Sequence, residues 1–363
     1  MKAINLIIIS AMLLYSCQKN ISVRTRDAAS VSNVSNMEAT GLNVTTSPYW
    51  DSVFTRYGNG WTGGDGAYSL RLPDGRSLWL WGDSFLDTVF SDRTRPVQGF
   101  IHNQMVTTDS LGGNFTTYFG GTKAAPKAYF EASNANQYYW PTSAFVNQQQ
   151  NKVYVMMVKV KPATGGFKIV GTDVATLDYP SLKIKGIKKF YVGDFIDWSS
   201  TTLNNGDGYI YLYGVESTKY NKYIHVARTG ASNPFQSVEY FDSTAWTTDI
   251  AKSARVQGGV SESFSVFKSN GGYYMVSQGN LLSQDIYMWN AVSPTGPFYN
   301  KRFLYTTPEL TNATWTYNAT AHTELSKDGK LLIGYCMNTT ATAQLYNNVD
   351  TYRPYFIEVT GWQ

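Results

Sequence analysis

Beyond residue 47 the chain alternates short apolar and aromatic runs with tight polar turns, and apolar positions almost never recur at the 3.6-residue spacing of a helix. One unit repeats instead: a strand, a polar turn, and a second strand dense in aromatic or aliphatic residues. The turns are Pro73-Asp74-Gly75-Arg76, Gln148-Gln149-Gln150-Asn151, Asn205-Gly206-Asp207-Gly208, Asn270-Gly271-Gly272 and Lys327-Asp328-Gly329. Most pair Gly with Asn or Asp, the residues that tolerate the positive φ of a hairpin turn. Measured from Asp74 through Gln150, Asp207, Asn270 and Asp328, they recur after 76, 57, 63 and 58 residues, room each time for one four-stranded sheet. Five such units predict an all-β fold, a five-bladed β-propeller over residues 47–363, since a β-sandwich would not repeat at so long a period. Residues 47–57, ahead of the first hairpin, are expected to supply the outer strand of the last blade and close the ring.

The first residues follow a different pattern. Met1-Lys2 is a short positive segment, and Ala3 to Tyr15 is an apolar run of the length of an export signal, too short to span a bilayer comfortably. The run ends Leu14-Tyr15-Ser16-Cys17, which resembles a bacterial lipobox with Cys17 as the residue to be lipidated. Residues 1–16 therefore read as a lipoprotein signal peptide. Residues 17–46, rich in Ser, Asn, Thr and Ala, read as the lipidated Cys and a flexible tether. The expected location is the bacterial cell envelope, on a lipid anchor and by preference at the outer membrane. No acidic cluster after Cys17 argues for one face over the other.

Composition narrows the chemistry. Aromatic residues make up 15% of the 363 positions and charged residues another 15%, which excludes disorder and suits β-structure and sugar binding. A net charge of +4, dispersed along the chain, is too weak for a phosphate-tracking surface, so nucleic acid is not an expected partner. Only Cys17 and Cys336 are present, which leaves no C-x-x-C site. His102, His225 and His322 are far apart in sequence and form no zinc-ligand pattern, so no catalytic metal is expected. Neither a dinucleotide fingerprint nor a Gly-x-Ser-x-Gly nucleophile elbow occurs.

Carboxylates do fall in a pattern. In a propeller the first strand of each blade runs along the central channel, so residues just ahead of those strands converge on one end of the axis. Asp65 lies nine residues before Asp74, Asp197 ten before Asp207, and Glu262 eight before Asn270; Trp140-Pro141 and Ala321-His322 hold the corresponding places in the other units. Three acids facing one funnel suit glycoside hydrolysis, in which one acid protonates the leaving oxygen and a carboxylate serves as base or nucleophile. A third acid sets their pKa values apart. Trp61, Trp140 and Trp198 lie near the same positions, where an indole face stacks on a sugar ring. The structural alternatives are a turn cap for Asp83, backbone hydrogen bonding for Asp197, an ion pair with Arg255 for Glu262 and a buried hydrogen-bonded His322.

These residues also carry family resemblances. Ile196-Asp197-Trp198, Asn204-Asn205-Gly206-Asp207-Gly208-Tyr209, Ser261-Glu262-Ser263 and Ser293-Pro294-Thr295-Gly296-Pro297-Phe298 are similar to glycoside hydrolase family 43 and its five-bladed relatives, the arabinanases, arabinofuranosidases and xylosidases. That resemblance implies Asp65 as base, Asp197 as pKa modulator and Glu262 as general acid. It departs from the family at Trp198, where Pro is usual, and at Ser263, where Gly or Ala is common.

A second resemblance covers most of residues 54–360. Gly63-Gly64-Asp65-Gly66, Leu78-Trp79-Leu80-Trp81-Gly82-Asp83, His102-Asn103, Trp140-Pro141, Tyr317 to His322 and Tyr352-Arg353-Pro354 look like bacterial propellers classed as domains of unknown function, one branch of which includes endo-D-arabinanases. It implies Asp65 and Asp83 as the paired acids. Asn103 and Arg353 become candidates for hydroxyl or carboxylate contacts, and His322 for a water or a calcium or other cation on the axis, with no cofactor required.

The reading is a tethered envelope lipoprotein that hydrolyses an arabinose-containing or similar polysaccharide; the alternative is a glycan-binding lipoprotein without turnover. A close Asp65–Asp83 pair implies retention at the anomeric carbon, and a wider Asp65–Glu262 pair implies inversion. The broader resemblance favours Asp65 with Asp83.

Overall fold

The computed structural model describes residues 41–280 and 283–363. The proposed signal peptide, Cys17 and the tether up to residue 40 lie outside these. The described chain is a β-propeller. Five antiparallel sheets of four or more strands follow one another along the sequence. Their innermost strands are Tyr68–Arg71, Tyr138–Asn147, Ile196–Asn204, Phe264–Ser269 and Thr314–Ala321. Each of the five expected turns joins an innermost strand to the second strand of its sheet. Asn151, Asn270 and Asp328 adopt there the left-handed conformation that these turns demand, at φ 51°, 46° and 54°.

What holds the sheets in a ring is visible in the strand Leu331–Thr339, whose residues are all buried. Side chains alternate across a strand, so Leu331, Ile333 and Tyr335 enter one apolar layer with Val276, Ile286 and Met288 of the preceding sheet. Leu332 and Cys336 enter the next, with Trp50, Phe54, Trp79 and Trp81. Three further layers, centred on Leu80 with Val155, Trp198 with Phe145, and Val226 with Phe264, each draw on two consecutive sheets. Every sheet is thus apolar on both faces and shares both with neighbours. Burial at about 25 cal/mol per Å² of apolar surface makes these layers the main source of stability.

The closure differs from the expectation in register along the chain. The outer strand of the last sheet is Asn43–Thr46, paired antiparallel with Thr360 back to Ile357. Residues expected to form that strand instead make a short helix, Pro48–Val53, which buries Trp50. Pro48 explains the switch: it lacks the N–H a ladder needs, yet fits the first turn of a helix. The folded domain therefore begins inside the segment assigned to the tether.

Candidate active site

Asp65 sits in a glycine-rich corner between the strands Trp61–Gly64 and Tyr68–Arg71. Its backbone N–H donates to the Asp83 carbonyl at 3.2 Å, and the Gly82 N–H donates to the Asp65 carbonyl at 2.8 Å. Two residues of one strand thus oppose one of the other, a bulge that re-aims side chains. Gly66, at φ +103°, permits the sharp exit from the corner. Gly82 is equally constrained, because a β-carbon there would stand 2.6 Å from Asp65 Oδ1 and 3.3 Å from Trp140 Cδ1. The missing side chain leaves room for both the Asp65 carboxylate and the indole beside Gly82.

Burial pushes the Asp65 carboxyl up to about 7, and the negative charge of Asp83 adds to the rise. The Tyr317 hydroxyl, donating to Asp65 Oδ2 at 2.7 Å, and the buried Tyr352 phenol against the same carboxylate pull in the other direction. Asp65 therefore carries its proton through weakly acidic conditions, as a general acid must.

Asp83 is held differently. Its Oδ1 accepts from Trp140 Nε1 at 2.9 Å and pairs with His102 Nδ1 at 3.0 Å. The carboxylate is buried, whereas His102 is 41% exposed. The imidazole lies face to face on Tyr138, with ring centroids 3.8 Å apart and planes 10° from parallel. Trp140 in turn meets the edge of Phe167 at 4.5 Å, on the long hairpin formed by Lys152–Ala163 and Gly166–Asp178. An aromatic wall thus rises beside the two carboxylates.

Asp197 and Glu262 belong to the same end of the channel. Asp197 is the second residue of its innermost strand, and Glu262 stands two residues ahead of Phe264–Ser269. The Tyr68 hydroxyl lies 2.6 Å from Ser263 Oγ, and its own ionisation is opposed by the charges of both Asp65 and Asp197. Burial raises Asp197 to about 6; the Ser199 hydroxyl and amide, 2.6 and 3.0 Å from its Oδ1, oppose the rise and the Glu262 charge adds to it. Glu262 is 44% exposed and its Oε1 pairs with Lys222 Nζ at 2.7 Å and with Ser217 Oγ at 2.6 Å. The expected partner Arg255 is engaged elsewhere, on buried Glu216.

Five residues expected to touch ligand do not face the funnel. Trp61 is fully buried against Phe54 and Trp81, and Trp198 is fully buried beside Tyr240. Both are blade core, so Trp140 is the one of the three that reaches the site. Asn103 is buried, and its amide bridges backbone: Nδ2 donates to the carbonyls of Phe130 and Tyr139, and Oδ1 accepts from the Phe130 N–H. Arg353 clamps the carbonyls of Phe54 and Arg56 at 2.9 Å each. His322 is packed between Trp79 and Phe356, with Nδ1 2.6 Å from Ser69 Oγ, and burial pushes it down to about 3. Each of these polar side chains has been drawn inward to satisfy buried backbone or hydroxyl groups.

Tyr317, Tyr352, Tyr138 and His102 complete the site, and none was singled out from the pattern of acids. Tyr317, His102 and Tyr352 stand in the short motifs of the broader resemblance, which is the signal that points to them. The opposite mouth of the channel is a cavity of about 620 Å³ whose lining mixes polar residues such as Arg71, Asn147 and Glu324 with apolar ones such as Phe145, Leu203 and Phe267. Among the described residues no three His, Cys, Asp or Glu side chains gather as a metal site.

The family model described as a domain of unknown function (DUF5005) matches residues 48–362. A crystal structure from Bacteroides ovatus, of a protein assigned provisionally as a hydrolase, shares 24% identity with a TM-score of 0.77, over 88% of this chain and 91% of that one. A family 43 β-1,3-galactosidase in complex with galactodeoxynojirimycin shares 13% identity and a TM-score of 0.50, over 82% and 90% of the two chains. These likenesses concern the fold. No curated protein matches the chain.

Proposed function

Since the chain belongs to the DUF5005 family, whose description carries no activity, we propose from the site's geometry that it is a glycoside hydrolase with Asp65 as the general acid. The observation that carries this reading is the pairing of Asp65, raised to about 7, with Asp83, whose Oδ1 is held by Trp140 and His102. Two carboxyl groups in one cleft, one of them raised by burial, are the working parts of glycosidic cleavage. Asp65 gives its proton to the leaving oxygen. The negative charge of Asp83 holds that proton on Asp65 until then and stabilises the positive charge that develops on the sugar.

Asp197 and Glu262 line the facing wall. The Lys222 ammonium and the Ser217 hydroxyl occupy Glu262 Oε1, so the acid role goes to Asp65. Trp140 supplies the stacking surface. An arabinose-containing or related polysaccharide is the substrate class we propose, on the motifs shared with endo-D-arabinanase-like propellers; a lipid anchor at Cys17 would keep the enzyme on the envelope where such polymers arrive. Loss of the membrane-bound fraction in Cys17→Ser tests the anchor.

The activity is tested by incubating the purified protein with arabinans, xylan, galactan and pectic glycans and following the release of reducing ends. Turnover by the native protein that Asp65→Asn abolishes supports the reading. Saturable binding with no turnover on any of them overturns it in favour of a glycan-binding protein.

A further inference from the structure

The carboxylate of Asp83 is poorly placed to meet a substrate itself. It is 6% exposed as a side chain, and one of its two oxygens already accepts from Trp140 and His102. The imidazole it holds is 41% exposed. His102 Nδ1 faces the carboxylate, so Nδ1 carries the proton and Nε2 is the basic nitrogen. Among the described residues nothing hydrogen-bonds Nε2. The ring is oriented by the Tyr138 face at 3.8 Å and by the edge of Phe100 at 5.5 Å.

We propose that His102 is the base of the reaction and that Asp83 acts through it. A buried carboxylate that fixes the tautomer and orientation of an exposed imidazole is the arrangement by which an acid makes a histidine an effective proton acceptor. On this wall of the cleft the protonatable pair is then Asp65 and His102, and Asp83 touches both: through its backbone carbonyl the first, through its carboxylate the second.

This inference rests on the glycoside hydrolase reading and assigns its second proton transfer. Water attacks the anomeric carbon as His102 Nε2 takes one of its protons. The bond from that carbon to the leaving oxygen breaks, its electron pair goes to the oxygen, and the Asp65 proton is delivered there. One water is consumed. His102 ends as imidazolium and Asp65 as carboxylate, and exchange of a proton with solvent at each restores the starting state. Because water enters opposite the leaving group in a single displacement, the product is inverted. This departs from the retention expected of an Asp83 that attacks directly.

The test compares native protein, His102→Gln and His102→Ala on a polysaccharide that the native protein cleaves. Gln keeps an N–H for Asp83 but accepts no proton, so a positioning role and a chemical role separate. We expect both variants to lose about 10²-fold or more in kcat. Added imidazole should restore His102→Ala by about tenfold, while His102→Gln stays low. The fresh product, followed by NMR, should be the inverted anomer. His102→Gln within about threefold of native, no rescue of His102→Ala by imidazole, or a retained anomer would each overturn the inference while leaving the hydrolase reading intact. A native protein that cleaves none of the glycans would remove that reading, and this inference with it.

Discussion

The amide of Asp65 bonds the carbonyl of Asp83 at 3.2 Å, which ties the backbones of the two acids together across one bulge. The Asp83 charge adds to the rise of the Asp65 carboxyl. Asp83→Asn removes the charge that helps raise Asp65, so the Asp65 carboxyl should titrate below about 7 in that variant. NMR titration of labelled Asp side chains in native protein and Asp83→Asn reads this directly. An Asp65 titration that does not move would show that burial alone sets its value.

The same coupling predicts how activity follows pH. Hydrolysis needs protonated Asp65, so the high-pH limb of kcat/KM should fall through about 7. In Asp83→Asn that limb should lie at lower pH, on top of a large fall in rate. A high-pH limb governed by a group ionising above 9 would remove Asp65 from the acid role.

Stability should change in the opposite sense to activity at this position. The folded-state value of Asp65 is raised above its ordinary 3.8, so the unfolded chain releases its proton first as pH rises. The position therefore favours folding least above about 7, where the folded protein must hold a buried carboxylate. Asp65→Asn removes that cost. Its melting temperature should be about 2–4 °C above native at pH 8 and close to native at pH 4. A lower melting temperature at pH 8 would indicate that the carboxylate serves the fold.

Gly82 offers a change that touches the site without removing a functional group. A β-carbon there would lie 2.6 Å from Asp65 Oδ1, far inside contact distance, so Gly82→Ala must displace the carboxylate. A shift of about 1 Å in an acid costs on the order of 10²-fold in rate. Circular dichroism should remain native while kcat falls. Unchanged kcat would mean that the Asp65 position is not critical.

Glu262→Gln separates the two family patterns. Half-exposed and paired with Lys222, Glu262 should contribute through binding, so the variant is expected to lose less than about tenfold in kcat/KM. A loss as severe as that of Asp65→Asn would restore the family 43 assignment of Glu262 as acid.

Much of the architecture could be read from the chain because hairpin turns and apolar alternation are local. The Asp74, Asn270 and Asp328 turns lie where the innermost strands end, as their Gly and Asn or Asp chemistry requires. The closing strand is not legible locally, because Asn43–Thr46 is a short β-branched run ahead of a proline and only pairing with Thr360 marks it as part of the sheet. Site tryptophans were ambiguous for a related reason. Trp140 and Trp198 both stand beside register breaks, which interrupt the two-residue alternation that tells channel from core. Asn103 and Arg353 looked like ligand contacts because a polar residue in a motif does not reveal which buried carbonyls it must satisfy. Tyr317, on the strand Thr314–Ala321, and Tyr352, just ahead of Pro354–Thr360, are far from Asp65 in sequence, and only the motifs of the broader resemblance connect them with it.

If Asp65 donates a proton to the leaving oxygen, its removal should matter only where the leaving group needs that proton. Native protein and Asp65→Asn would be assayed on the polymer and on an aryl glycoside of the same sugar whose nitrophenolate departs without a proton. Asp65→Asn should lose about 10³-fold or more on the polymer and less than about tenfold on the aryl glycoside. Equal losses on both substrates, or full activity of the variant on the polymer, would contradict it.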